Sequence, residues 1–307
     1  MPELPEVQTT VDGLSKTIQG LRITAAWSDY DSDYFKGSET IKDAAYLPHF
    51  KKNTIGSRVI SIERRAKNIL INLSNNQTIL VHMKMTGHLL YGNYEFKAGK
   101  KKDPWQPISP PPLLDPYNRH IHFVLTFNNG KRLALSDLRK FAKVAVVHSK
   151  TIHSSSHLKD IGPEPLEKAF TFKAFKERLM LRKKWKIKQA LMDQSVMAGI
   201  GNIYADESLW RSSIHPAEIV GRLKDAQLKG LYSAIRKTLS RSIDFGGDSM
   251  SDYRNVHGEK GTFQEEHHAY QRTGMRCELK GCNGTIRRIV IGGRGTHYCD
   301  RHQRLDK

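Results

Sequence analysis

The sequence predicts an α+β chain of several domains: a strand-rich first half, a helical stretch after it, and a small metal-held module at the end. Three observations carry this. Short β-rich segments recur over 58–92 and 120–148 and are separated by turn residues. Residues 166–245 switch to a helical spacing of apolar positions with almost no strand signal. The three cysteines all fall between 277 and 299, a cluster that suits a metal site better than a disulfide framework.

Taken in order, Val7, Val11, Leu14, Ile18 and Leu21 form one apolar stripe and predict a helix over 7–21. Segments beginning at Arg58, Ile69 and Thr78 read as strands. Segments beginning at His122 and Arg132 flank Asn128-Asn129-Gly130, a hairpin signal. Regular short strands suggest a sandwich or a barrel. Residues 97–118 are basic and then proline-rich, and predict an exposed loop. Residues 149–165 read as a linker. In the helical part, 173–188 carries Lys173, Lys176, Arg178, Arg182, Lys183, Lys184, Lys186 and Lys188 against Glu177, with Trp185 among them. Such a run is either a solvated face or a surface that meets a polyanion. Residues 246–262 are rich in Gly, Asp and Ser and predict a mobile loop. The resulting domains are 1–150, a linker 151–165, 166–262 and 263–307.

The chain has 307 residues and 38% hydrophobic content, enough for several folded domains. No apolar run approaches the length of a membrane span, and the N-terminus lacks a signal-peptide pattern. The expected location is the cytoplasm, with access to the nucleoid. Lys plus Arg is 50 against 31 acids, a net charge of +19. That balance favours a polyanionic partner through counterion release. Oligomer state leaves no visible signal, and a monomer is the default.

Chemistry concentrates at both ends. Removal of Met1 leaves Pro2 as a terminal secondary amine. An α-amino group titrates near ~8, against ~10.4 for lysine, so part of it is nucleophilic at neutral pH. Attack on a sugar C1′ gives an iminium cation that acidifies the neighbouring proton and allows elimination. Glu3 and Glu6 lie in the same turn as acid/base candidates. The same residues also make an ordinary helix start. Gly199-Ile200-Gly201-Asn202 forms a turn before a helix N-terminus, where N–H groups can receive a phosphate. Cys277-x4-Cys282-x16-Cys299-x2-His302 gives two close ligand pairs and fits a structural zinc. Arg294 lies in a glycine-rich turn between the pairs as a phosphate-contact candidate.

In order along the chain, these pieces resemble the formamidopyrimidine-DNA glycosylase / endonuclease VIII (Fpg/Nei) family of base-excision repair enzymes. PELPEV opens the chain. Arg64-Arg65-Ala66-Lys67 resembles the family's strand lysine motif, and the segment from His82 through Met85 its HLGMSG-like stretch. Asn129-Gly130 and then Asp137 through Phe141 resemble the DPRRFG segment, and 161–166 the interdomain stretch. Residues 191–207 look like the helix–two-turn–helix signature, and 293–299 like the zinc-finger arginine motif. Leu4 points to the Fpg branch.

The resemblance implies a β-sandwich N-terminal domain with flanking helices, a helix–two-turn–helix domain and a zinc-finger β-hairpin, with DNA between domains. It implies a bifunctional glycosylase/AP lyase acting on oxidised purines in duplex DNA. Pro2 would be the nucleophile, Glu3 the acid for the sugar ring, and Glu6 a positioning or proton-shuttling group. Lys67 and Arg294 would grip phosphates and assist β- and δ-elimination. Met85, Arg139 and Phe141 would fill the gap left by a flipped base; Met85 and Phe141 could otherwise be core residues. His82, His120, Lys183, Lys188 and Asn202 match phosphate-contact positions, and Glu207 reads as support for the N-terminus or for helix packing rather than chemistry. Structural zinc would sit on Cys277, Cys282, Cys299 and His302.

Several positions depart from the family pattern. His120-Ile121-His122 lacks a middle acid, Ala142 stands for glycine, the first cysteines are more widely spaced, and His302 replaces a cysteine. The insertion 104–117 has no assigned counterpart. Other readings of the chain are an oxidised-pyrimidine enzyme, a silent damage-binding module and an RNA-binding zinc ribbon. Turnover on lesion duplexes, strand cleavage and RNA competition separate them.

Overall fold

The computed structural model describes residues 1–99 and 104–305. It divides into two compact units: 1–159 with 245–262, and 160–244 with 263–307.

The first unit opens with α1 (Leu4–Thr17), capped at Glu3, followed by β1 (Ile23–Ser28) and α2 (Leu47–Thr54). The helix starts three residues before the predicted stripe and ends at Ile18. Then come β2 (Val59–Arg65), β3 (Asn68–Leu73), β4 (Gln77–His82), β5 (His88–Phe96), β6 (Trp105–Ser109), β7 (Ile121–Phe127), β8 (Arg132–Ser136) and β9 (Lys143–His148). Among the described residues they form two sheets, ordered β1-β7-β8-β5-β6 and β2-β3-β4-β9. Both sheets and α1 contribute to one core. Val7, Val11, Leu14 and Ile18 meet Ile69, Ile71, Ile79, Val81, Leu89, Phe123, Leu125 and Val144 there. Every second residue of β3 and of β7, Ile69, Ile71 and Leu73 and then Phe123, Leu125 and Phe127, turns to this core, as the period of a strand requires.

Two expectations need correction here. The proline-rich stretch is not an exposed loop, although Lys100 to Lys102 lie outside the described residues. Its residues 104–118 make β6 and two short turns at the sheet edge, where Pro107 removes no ladder bond from a central strand. Trp105 and Leu113 are buried with Leu90, Tyr94, Val124 and Ala134. The sheet therefore has a second apolar face, and the insertion covers it. Ile121 joins this cluster because a register shift between Ile121 and Phe123 turns it outward.

The segment 246–262 is packed with the first unit rather than hanging from the helical one. Val256 enters the core and its carbonyl accepts the Tyr91 N–H at 2.7 Å. Arg254, 1% exposed, donates to Asp115 at 3.1 Å and lies 4.7 Å over the Tyr117 ring. Asn118 Nδ2 donates to Pro112 O. A Cβ on Gly258 would meet that same Pro112 carbonyl at 2.7 Å. The Gly, Asp and Ser that suggest mobility in sequence here build close turns against the insertion.

The second unit holds α3 (Phe172–Met180), α4 (Ile187–Met192), α5 (Asn202–Arg211) and α6 (Asp225–Asp244). A hairpin of β10 (Ile286–Ile291) and β11 (Arg294–Cys299) follows. Gly292 (φ 55°) and Gly293 (φ 73°) make its two-residue turn, a conformation that favours glycine.

Asp115→Ala should strand the buried guanidinium of Arg254. The expected loss is about 2–3 kcal/mol of stability, read by chemical denaturation, because removing one partner of a buried pair leaves an uncompensated charge. Arg254→Met with Asp115→Ala should recover most of it.

Candidate functional site

At the chain start, Pro2, Glu3 and Glu6 are all buried. The Glu6 carboxylate accepts the Glu3 N–H at 2.7 Å and the Asp248 N–H at 2.7 Å. Its backbone carbonyl accepts the Tyr253 hydroxyl at 2.9 Å. A Cβ on Gly247 would come within 3.0 Å of the Glu6 carboxylate, so glycine permits this approach. An acid in the first turn also suits the positive end of the helix dipole. The geometry gives Glu6 a positioning task and fixes the first residues against the segment 245–262.

Sheet register gathers the next group. Arg65 pairs with Asn68, Asn68 with His82, and His82 with Lys143. One end of the four-stranded sheet thus brings together the turn carrying Lys67, the end of β4 and the start of β9. Lys67 is buried and lies on the β2–β3 turn rather than in a strand, next to Ala66 with φ 54°. His82 Nδ1 accepts the Lys84 N–H at 3.0 Å, which leaves Nε2 to carry the ring proton. Burial, and then the charges of Lys84, Lys67 and Lys143, push His82 down to about 3.

Asp137 was named in the sequence only as the start of the DPRRFG-like segment, with no role, yet it organises the neighbouring loops. It is fully buried. Its carboxylate accepts Thr86 Oγ1 at 2.5 Å, the Ala142 N–H at 2.7 Å and the Tyr30 hydroxyl at 3.1 Å. Thr86 Oγ1 in turn accepts the Arg139 N–H at 3.1 Å. This network ties the loop of Met85 to that of Arg139 and Phe141. Phe141 is 41% exposed and Met85 half-buried, so neither is a core residue. The Arg139 guanidinium lies 4.5 Å over the Phe141 ring. His120 is half-buried, and its carbonyl accepts the Asp137 N–H at 2.8 Å. His122 pairs with Asp29 at 2.9 Å, so it finds an acid elsewhere than at position 121.

In the second unit, Gln194 laces the turn between α4 and α5. It donates to Met192 O and Ile200 O and accepts the Gly199 N–H. Asn202 Nδ2 donates to Gly295 O at 3.0 Å, one residue after Arg294. Arg294 and Lys183 are exposed. Lys188 departs from its expected phosphate contact. Its side chain is fully buried and pairs with Asp206 at 2.5 Å. Asp206 also accepts the backbone N–H of His297 at 2.9 Å. The lysine therefore joins α4, α5 and β11 from inside. Glu207 accepts the N–H groups of His268, Ala269 and Tyr270, a packing role in keeping with its sequence reading.

Cys277, Cys282, Cys299 and His302 place one ligand atom each within 4.8 Å of all the others. Cys282 Sγ is 3.6 Å from Cys299 Sγ and 3.6 Å from His302 Nδ1, and Cys277 Sγ is 3.5 Å from His302 Nδ1. Tetrahedral zinc, with Zn–S about 2.3 Å and Zn–N about 2.0–2.1 Å, spaces its ligand atoms about 3.5–3.8 Å apart. A disulfide requires about 2.05 Å. His302 Nε2 faces Trp210 O at 3.2 Å, which leaves Nδ1 for a metal. A Cβ on Gly284 would come within 2.4 Å of Cys299 Sγ. The four residues fit a structural zinc site.

Comparison with known proteins agrees along the chain. The family model described as the formamidopyrimidine-DNA glycosylase N-terminal domain matches residues 1–144, and the one described as its H2TH domain matches 161–254. A formamidopyrimidine-DNA glycosylase of Cereibacter sphaeroides is 35% identical over 304 residues, covering 99% of this chain and 100% of the relative. A Lactococcus lactis Fpg variant in complex with Fapy-dG-containing DNA matches at TM-score 0.82 and 29% identity, over 99% of this chain and 100% of that one. The Lactococcus lactis Fpg complex with abasic-site DNA matches at TM-score 0.81 and 29% identity, over 98% and 99%. Among the described residues no helix is long and apolar enough to cross a membrane.

A depressed histidine sets a pH expectation. Unfolded His82 takes up a proton near 6.5, whereas the folded ring resists it down to about 3. Its contribution is present above pH 6.5 and is lost as pH falls toward 3. The melting temperature should drop between pH 6.5 and 4, and His82→Gln should flatten that drop.

Proposed function

Because the chain belongs to the formamidopyrimidine-DNA glycosylase family, we propose that it excises oxidised purines, formamidopyrimidines and 8-oxoguanine, from duplex DNA and then cleaves the strand. The observation that carries this is the buried Pro2–Glu3–Glu6 start, held in one place by Glu6. A nucleophile at a chain end gains from such pinning, since termini are otherwise frayed and orientation is worth several kcal/mol.

With Met1 removed, the Pro2 nitrogen attacks C1′ of the flipped nucleotide. The C1′–N bond to the base breaks, and the base leaves with a proton. Glu3 protonates the ring oxygen as the sugar opens, which leaves the iminium between Pro2 and C1′. A C2′ proton, acidified by that cation, is lost and the C3′–O bond breaks. A second elimination breaks the C5′–O bond, and water releases Pro2. Lys67 assists the first elimination from its turn beside the N-terminal helix's partner sheet, and Arg294 holds phosphate for the second. Met85, Arg139 and Phe141 occupy the space the flipped base leaves, offsetting part of the few kcal/mol of unstacking. His82, His120, Lys183 and Asn202 set register on phosphates without reading sequence. Asn202 contributes also by holding the hairpin at Gly295. Zinc on Cys277, Cys282, Cys299 and His302 supplies structure only and fastens the module that presents Arg294. The work of such an enzyme lies with the nucleoid, in the cytoplasm.

Borohydride should trap a covalent adduct between the protein and a duplex containing 8-oxoguanine, with product ends from loss of both phosphoester links. Mass spectrometry should locate the adduct on Pro2. A fully active preparation that retains Met1 would sink this account. Faster turnover on thymine glycol than on 8-oxoguanine would move the substrate to oxidised pyrimidines.

Metal analysis should find one zinc per chain in the purified protein. His302→Ala should weaken its retention, and chelation should abolish DNA binding together with the hairpin's protection from proteolysis, because small metal modules fold only when loaded.

A further inference from the structure

At the chain start the first unit has a pocket of about 540 Å³ that Met1, Met85 and Phe141 help to line and whose lysines have no role above. Its walls include Tyr34, Phe35, Phe141 and the three lysines Lys42, Lys84 and Lys143. The size lies within the range that takes small organic ligands. Three features make it a site rather than a gap.

Lys42 is 8% exposed, a rare condition for a lysine without an acid. Its ammonium lies 4.2 Å from the centre of the Phe35 ring and 5.9 Å from that of Phe141. Among the described residues no carboxylate forms an ion pair with Lys42, Lys84 or Lys143. Lys143 Nζ meets the neutral acceptor His157 Nδ1 at 2.8 Å. Burial holds Lys42 and Lys143 below the ordinary lysine range; at Lys42 the charge of Asp137 opposes this more than that of Lys84 adds to it, and at Lys143 the charges of Lys84 and Lys42 add to it. Cations gathered this way repel one another until an anion joins them.

Lys84 is the second feature. It adopts φ 57°, in the left-handed region that favours glycine. Strained backbone persists where surrounding structure enforces it, and it concentrates at functional positions. Here the strained residue delivers a third ammonium into the pocket. Third, the turn Asp33–Phe35 sets Tyr34, 88% exposed, edge-on to Phe35 at 4.9 Å. An exposed aromatic pair beside cations suits a base or sugar attached to a phosphate.

We propose that this pocket is an additional nucleotide subsite: Lys42, Lys84 and Lys143 take one backbone phosphate of the duplex, and Tyr34 and Phe35 take the attached sugar and base. The proposal rests on the DNA-binding reading above.

The test uses the full-length, zinc-loaded protein and an undamaged duplex, with affinity measured against salt. Each phosphate contact contributes about 0.9 to the slope of log affinity on log salt. Because the three lysines share one phosphate, Lys42→Gln and Lys84→Gly should each make the slope shallower by part of that amount and together by about all of it, with binding several-fold weaker at low salt. Lys84→Gly should melt at the same or a higher temperature, since glycine relieves the strained position, so lost binding cannot be ascribed to misfolding. Borohydride trapping at saturating lesion duplex should stay within twofold. Competition by 2′-deoxyadenosine 5′-monophosphate identifies the source of the phosphate. Variants that change its binding but leave the duplex slope intact would assign the pocket to a free nucleotide and overturn the duplex assignment. Unchanged slopes and unchanged competition in both folded variants would overturn the subsite altogether. A wild-type protein that binds but does not cleave would sink the proposed activity and still leave this comparison decisive.

Discussion

The carboxylate of Glu6 carries two backbone N–H groups, one from Glu3 and one from Asp248, while almost fully withdrawn from water. A buried anion is costly unless its hydrogen bonds are made, so this geometry resists loosening. It converts the chain start, ordinarily the least ordered part of a protein, into a fixed element. It also ties that element to 245–262, whose sequence signs are those of a loop. Thr10 and Tyr253 extend the same contact, each bonding the Glu6 carbonyl. The position of the Pro2 nitrogen follows from this one acid.

Buried acids repeat that role elsewhere in the molecule. Asp137 collects donors from Thr86, Ala142 and Tyr30 and so keeps two exposed loops side by side. Asp206 takes Lys188 on one side and His297 on the other. Glu207 takes three consecutive N–H groups. The chain's net charge of +19 already counts these acids. They are spent inside, on positioning, which leaves the cations Lys84, Lys183 and Arg294 outside to face a polyanion.

The departures at Ile121 and in the insertion have one cause. Once 104–118 folds over the outer face of the five-stranded sheet, an acid at position 121 would point into Trp105, Leu113 and Val124. Isoleucine there buries apolar surface instead. The same insertion supplies Asp115 and Tyr117, between which the buried Arg254 is held. His122, without an acid beside it in sequence, pairs with Asp29 across the sheet.

Much of this was legible from residues alone. β-rich segments set off by turn residues gave the strands, because branched and aromatic side chains suit a pleated surface, and the helical stripe gave α1 to within a turn. The cysteine and histidine spacing gave the ligand set, because two close pairs suffice to enclose one ion. The N-terminal motif and its companions gave the family. Tertiary structure alone decided the rest. Lys188 has the sequence look of a solvated cation and is buried, since only the approach of α5 and β11 supplies Asp206. The proline-rich stretch looks like a loop and is an edge strand, since the apolar face that Trp105 and Leu113 cover includes Ile121, Val124 and Ala134 from β7 and β8. Asp137 looks like an ordinary turn acid, and the donors that make it an organiser come from positions 30, 86 and 142. Local spacing specifies what a segment can bury; which distant groups arrive to share a buried charge depends on the packing of the whole unit.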